Sequence, residues 1–452
     1  MVSSVEIESA ADEIDRMTTD VGSFFEAHFP ERVIDRVLLV NPPDADASLF
    51  NFDIARLGTL SNFPPYGLAV LAQHLRTMDI QVRIVNLNFE ILEKCHQAVS
   101  KADFDFAAAW ETRLDKEINE FCPNLIGVTC MFTMTHNSFK QVCERAALSG
   151  TPIVIGGVHV TNDVERILDD VPSVKAAFLR EGDESTKQFV RAIRREIEPS
   201  DLAQVIIAHN GERHRFSTEM QPTETAIDII PAFDLIDVSD LSRYGVIGSF
   251  HFFKPKGTRF ATSLSNRGCR AQCTFCSVRN FNGVGVRQRS IESLLDELEL
   301  LENEYGINHI MWLDDDLFKD HKRAISLFNG MVKRGLKMTW DASNGVIASS
   351  CTDEVISAAV SSGCLALIIG MESGNAKILR EVRKPGTVEV FLRAAEVLGR
   401  YEQINTSAYL IIGFPGETMS MIMDTINVSL EMNLDWYRIK TLQPLSNTPI
   451  YD

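Results

Sequence analysis

Two spacings alternate along most of this chain. Short apolar runs such as Val37-Leu38-Leu39-Val40 have the length and continuity of strands buried on both faces. Between them lie segments with apolar residues at helical spacing, such as Leu68, Leu71, Ala72 and Leu75 after Pro64-Pro65. Further strands are predicted at 82–87, 125–130, 153–155 and 176–179. A strand–helix series of this kind predicts a doubly wound, Rossmann-like parallel sheet.

After residue 196 the pattern changes. Val205 to Ala208 and Arg213 to Phe216 flank Asn210-Gly211, which predicts a β-hairpin within a connector. Alternation resumes with strands predicted at 260–264, 309–313, 337–340, 365–369, 407–412 and 436–442, each separated from the next by a helix-length segment. Ser290 is the expected N-cap of the first of these helices, whose apolar positions are Ile291, Leu294, Leu295, Leu298 and Leu301. The chain is therefore α/β throughout, with an acidic leader over 1–33, a first domain over 34–195, a connector over 196–257 and a second domain over 258–452.

Composition narrows the function. A net charge of −18 argues against nucleic acid or an anionic bilayer as partner. No apolar run approaches a membrane span, and the N-terminus lacks the basic-then-apolar pattern of a signal peptide, so the cytoplasm is expected. The leader carries eight acidic and two basic side chains around Phe24, Phe25 and Phe29, and reads as a surface helix or frayed tail. Nine cysteines, three of them clustered, argue against a secreted disulfide framework.

The clustered three are Cys269, Cys273 and Cys276, spaced C-x3-C-x2-C on a loop that Gly268 lets bend. A closed zinc site needs a fourth ligand, and no second cysteine pair or histidine pair follows within thirty residues. An iron–sulfur cluster held by three cysteines keeps one iron open for a ligand, as a catalytic cluster requires. A zinc-bearing scaffold or sensor protein is the rival reading from another class.

The motif, with Phe275 before the last cysteine, resembles the signature of the radical S-adenosylmethionine (SAM) superfamily. The first half resembles the cobalamin (B12)-binding domain of its B12-dependent members, through Arg36 to Pro43, Phe63 to Leu68, Gly156-Gly157-Val158-His159 and Glu181-Gly182-Asp183-Glu184. The resemblance spans roughly 34–452 and implies a Rossmann-like cobalamin domain followed by a partial (β/α)6 barrel. It also implies a [4Fe-4S] cluster whose open iron chelates SAM, and an electron donor such as a flavodoxin or ferredoxin. The implied reaction is reductive cleavage of SAM to a 5′-deoxyadenosyl radical, used to methylate an unactivated carbon of a small molecule or lipid. Cyclisation, rearrangement or oxidation without methyl transfer is the alternative within the family.

For SAM, the resemblance and the strand ends together point to Phe275, Asp315, Ser343, Glu372, Ser373, Gly413, Pro415 and Gly416. Asp315 suits an ammonium group and Glu372 a ribose diol. For cobalamin they point to Asn41, Pro42, Thr129, Gly156, Gly157, His159, Glu181 and Gly182, where the paired glycines leave room for a bulky ligand. The D-x-H-x-x-G loop that supplies a histidine to cobalt in other cobalamin proteins is absent after Val40, so His159 is expected to pack near the cofactor and His136 to start a helix. The family's usual continuation past the final strand is not present before Asp452, and a C-terminal extension is expected to be absent.

Overall fold

A computed structural model describes residues 19–451. The chain divides into two compact units. The first comprises the described residues up to Thr59 with 65–222 and 231–236, and the second comprises 60–64, 223–230 and 237 onward.

The first unit is built on a seven-stranded sheet. Five strands run parallel: β1 (Arg36–Asn41), β2 (Gln81–Asn86), β3 (Leu125–Thr129), β4 (Ile153–Gly156) and β5 (Val174–Phe178). The hairpin β6 (Val205–His209) and β7 (Glu212–Phe216) adds two antiparallel strands, giving the order β2-β1-β3-β4-β5-β6-β7. The hairpin expected in the connector thus extends this sheet, because Val205, Ile206 and Ile207 are apolar on both faces and pair with β5.

Side-chain alternation builds a core on each face of the sheet. Leu38 and Val40 join Ile126 and Val128 on one face, while Val37 and Leu39 join Leu125 and Val154 on the other. The second core also takes Phe24, Phe25 and Phe29, which are at most 4% exposed and whose rings lie within 6.4 Å of Phe189. The helix over 19–28 is therefore docked by its aromatic residues, unlike a surface helix or frayed tail.

The second unit holds six parallel strands in chain order: β8 (Phe260–Ser263), then, past a two-residue antiparallel ladder of β9 (Asn266–Arg267) and β10 (Arg287–Gln288), β11 (His309–Trp312), β12 (Thr339–Val346), β13 (Cys364–Glu372), β14 (Asn405–Ile412) and β15 (Trp436–Thr441). A helix follows each strand from β11 to β14, as the alternation predicts. Ser290 caps Ile291–Asn303 by accepting from the Ser293 amide, and Leu294, Leu295, Leu298 and Leu301 are buried. Among the described residues no helix is long and apolar enough to cross a membrane, and all nine cysteines are free thiols.

Candidate active site and its cofactor-binding residues

The cysteine loop leaves the end of β9 through Gly268, whose φ is +91°. A Cβ there would meet the Gly285 carbonyl oxygen at 2.4 Å, so only glycine fits. The loop is then fastened from two sides: the Thr274 amide donates to the Val382 carbonyl (3.0 Å), and the Ile450 amide donates to the Thr274 carbonyl (3.1 Å). Phe275 packs on Phe414 with ring centroids 5.8 Å apart.

The three cysteines line one cavity of about 150 Å3 at the carboxyl ends of the strands, together with Phe275, Asp315 and Glu372. Burial pushes the Cys269 and Cys276 thiols up to about 11 and raises Cys273 as well, so the thiols hold their protons until a metal displaces them. Among the described residues, no fourth cysteine or histidine lines the cavity. Three thiols without a fourth such ligand suit a cluster that keeps one iron open better than a closed zinc site.

The three aspartates after β11 divide their roles. Asp314 is buried and accepts from the Ser265 hydroxyl and the Ser265 and Asn266 amides, which ties β11 to the start of the cysteine loop. Asp316 pairs with Arg270 at 2.9 Å. Asp315 faces the cavity with only a long 3.4 Å contact from Asn282, and burial together with its two acidic neighbours pushes its carboxyl up to about 7. It is the uncommitted acceptor of the three.

Glu372 ends β13 in a left-handed conformation (φ +66°), at a register shift against β14. Its carboxylate meets Lys384 Nζ at 2.9 Å. Burial favours the neutral lysine, but Glu372 and the Cys273 and Cys276 sulfurs outweigh it and hold Lys384 charged.

The other expected SAM residues stand apart from the cavity lining. Ser343 is buried, donating to Asp341 Oδ1 (2.5 Å) and accepting from the Ser249 amide (2.8 Å). Ser373 is buried against Thr425 and accepts from the Asn375 amide, which supports the turn. Gly413, Pro415 and Gly416 form an exposed turn held by Glu417, which accepts from the Gly413 and Phe414 amides. Four lining residues with polar side chains were not anticipated: Arg279, Asn344, Lys384 and Tyr409. Arg279 makes no side-chain hydrogen bond or ion pair among the described residues, and Lys384 carries the only other positive charge on the cavity wall.

In the first unit the expected cofactor residues gather at the carboxyl end of the parallel strands, and several are occupied with one another. Asn41 donates to Asn86 Oδ1 (3.0 Å) and, at 3.4 Å, to the carbonyl of the buried Pro42. Gly157 has φ +116°, and a Cβ there would meet the Cys130 carbonyl oxygen at 2.4 Å, so its bare face receives the neighbouring strand end. His159 is buried with both ring nitrogens engaged, Nδ1 by Thr133 (3.2 Å) and Nε2 by His136 (3.2 Å), while His136 Nε2 meets Asp170 (3.0 Å). Burial and His136 together push His159 down to about 4. Glu181 precedes the helix Gly182–Ile193 and is buried.

What stays open at this end is Thr129, Gly156 and Gly182, all half-buried, and the loop after β3, where Met131, Phe132 and Met134 are 47–73% exposed. Asp44, also half-buried, follows β1 with its carboxyl pushed up to about 7 by burial. An apolar loop beside glycine turns fits a broad planar ligand such as a corrin ring.

The comparisons agree with both halves. Residues 58–190 match the B12 binding domain model and residues 264–428 match the radical SAM superfamily model. An uncharacterized methyltransferase of Pyrococcus horikoshii is 26% identical over 426 residues, covering 92% of this chain and 82% of the relative. Cytidylyl-2-hydroxyethylphosphonate methyltransferase of Streptomyces wedmorensis is 25% identical over 409 residues, covering 85% and 74%. Among solved structures, the radical SAM methyltransferase TsrM of Kitasatospora setae, with cobalamin and a [4Fe-4S] cluster bound, superposes with a TM-score of 0.74 at 18% identity, covering 92% of this chain and 77% of that one. With a B12-binding domain followed by a radical SAM domain on one polypeptide, and three thiols around a cavity in the second, the chain belongs to the cobalamin-binding members of the radical SAM superfamily.

Proposed function

We propose that the protein is a cobalamin-dependent radical SAM methyltransferase acting on an unactivated carbon of a small molecule or lipid. The observation that carries this reading is the set of three free thiols, with no fourth cysteine or histidine beside them among the described residues, around a cavity that also presents an uncommitted carboxylate. When bound, the reduced cluster and SAM supply a carbon-centred radical, and cobalamin supplies a methyl carrier.

The chain's own residues bind and orient. Cys269, Cys273 and Cys276 hold the cluster, with Lys384 offsetting thiolate charge at the last two. Asp315 accepts from the ammonium of SAM, and Phe275 packs beside it. Glu372 is fixed by Lys384 and accepts from the ribose hydroxyls or the amine. Ser343, Ser373 and the Gly413-Phe414-Pro415-Gly416 turn act on SAM indirectly, by shaping the elements around the cavity. In the first unit, Asn41, Pro42, Thr129, Gly156, Gly157, His159, Glu181 and Gly182 form the end of the sheet that receives cobalamin; His159 sits there without offering a nitrogen to cobalt. A flavodoxin or ferredoxin delivers the electron, and the reaction takes place in the cytoplasm.

The test is anaerobic reconstitution followed by SAM turnover with candidate substrates. Cluster-dependent formation of 5′-deoxyadenosine with a product heavier by one methyl group is expected. A product of unchanged carbon count assigns cyclisation, rearrangement or oxidation instead.

A further inference from the structure

The stretch Ile247–Lys254, in what reads from sequence as a connector, packs against residues from five of the six strands of the second unit. A Cβ on Gly248 (φ +70°) would meet Ser343 Oγ at 2.7 Å and Met311 Sδ at 3.2 Å. The Ser249 amide donates to Ser343 Oγ at 2.8 Å, and its hydroxyl shares a hydrogen bond with the Tyr409 hydroxyl at 3.1 Å. Arg438 donates to the Ser249 carbonyl. Phe250 is buried with Ala366 and Ile368. Lys254 Nζ, 6% exposed, meets Asp341 Oδ2 at 3.1 Å, and the same oxygen meets His309 Nε2 at 2.9 Å.

These contacts share a face with the cavity. Along a strand, residues two apart point the same way. On β13, Ala366 and Ile368 meet Phe250, the next residue on that face, Gly370, lines the cavity, and Glu372 lines it just past the register shift. On β14, Tyr409 does both: its ring lines the cavity, and its hydroxyl donates to the Ser343 carbonyl at 2.7 Å. Between Ala342 and Val346, β12 shifts register against β13, and the residues from this bulge onward, Asn344 to Ile347, form one cavity wall.

We infer that Ile247–Lys254 is a floor packed beneath the residues that line the SAM cavity, and that Ser249 and Tyr409 are positioning residues that hold the β12 bulge in place through Ser343. The inference rests on the reading of this cavity as the cluster and SAM site. Asp341 anchors the floor: burial disfavours its charge, but His309 and Lys254 outweigh that and hold the carboxyl below its usual range. Ser343, with both hydroxyl bonds committed, is the joint between anchor, floor and wall.

The experiment titrates SAM into reconstituted full-length protein and follows the EPR spectrum of the reduced cluster, with iron counted for each variant. Tyr409→Phe keeps the ring and loses both hydroxyl bonds, and is expected to keep its iron while binding SAM about tenfold more weakly. Ser249→Ala is expected to weaken SAM by a smaller factor. The double variant should be no weaker than Tyr409→Phe by more than about twofold, because the Ser249 hydroxyl acts through the Tyr409 hydroxyl that Tyr409→Phe already removes. Full iron with unchanged SAM affinity and spectrum in Tyr409→Phe overturns the inference. If that variant loads no iron, Ser249→Ala decides on the same readout. Wild-type protein that takes up no iron overturns the reading of the cavity and the inference with it. Wild-type protein that binds SAM normally beside unaffected variants overturns the floor alone.

Discussion

The two ligand-bearing ends of this protein are built differently. In the second unit the candidate donors are held ready: three free thiols, Asp315 and Arg279 face a formed cavity without strong protein partners. In the first unit the polar groups nearest the strand ends are spent on each other, Asn41 on Asn86 and His159 on Thr133 and His136. A covalently ligated cluster needs donors that give up protons and accept metal, so they must stay uncommitted. A large preformed cofactor needs a rigid seat, and internal hydrogen bonds make one. Substitutions in the second unit should therefore remove a ligand, and substitutions in the first should loosen a seat.

The largest expected effect is at the thiols. Cys273→Ala should abolish cluster assembly and SAM cleavage while leaving cobalamin retention unchanged, as read by iron, sulfide and cobalt analysis. Loss of both cofactors together would break the comparison.

Next is the buried ion pair under the cavity. Lys254→Met leaves the Asp341 carboxylate with His309 and the Ser343 hydroxyl but without its lysine, and should cost roughly 3–5 kcal/mol in denaturant unfolding. A cost under about 1 kcal/mol would show that the pair carries little of the floor.

Asp315→Asn should keep the cluster but weaken SAM binding by roughly tenfold to a hundredfold, since a charge-assisted hydrogen bond to an ammonium becomes a neutral one. An unchanged SAM dissociation constant would remove Asp315 from the site.

His159→Ala should behave as a seat substitution. Stability is expected to fall by roughly 1–3 kcal/mol through the unpartnered Thr133 and His136, with no shift in the optical spectrum of bound cobalamin. A spectral change characteristic of a lost axial nitrogen would show that the histidine reaches cobalt.

The smallest effect is in pH. His159 titrates near 4 in the folded protein and near 6.5 unfolded, so between those values only the unfolded chain takes up its proton. Its contribution is complete above pH 6.5 and declines as the pH falls towards 4. His159→Gln should flatten the acid limb of the stability profile, measured by denaturant titration.

The sheet and barrel strands were legible because each is a short apolar run between helical spacings, as at Val37–Val40 and Leu365–Ile369, and burial on both faces needs that continuity. The cysteines were legible because three thiols at metal-ligand spacing fall within one loop. Lys384, Asn344 and Tyr409 were not, because each reaches the cavity through strand register or a return loop that no local pattern marks. Lys384 lies twelve residues past Glu372, in the turn after the next short helix. Ser343 was misjudged because a strand-end hydroxyl looks available in sequence, whereas Gly248 and Ser249 approach it from a distant segment. Phe24, Phe25 and Phe29 gave a usable signal: three aromatic residues in six are dense for a solvated tail, and they are core.

The central claim is that one end of this chain takes metal and the other takes cobalamin, independently. Its most direct measurement is the iron, zinc and cobalt content of wild-type and Cys273→Ala protein after anaerobic reconstitution with iron, sulfide and hydroxocobalamin. About four irons and about one cobalt per chain in the wild type, with only the cobalt surviving in the variant, is the predicted result. Zinc in place of iron, or cobalt that is never retained, would contradict it.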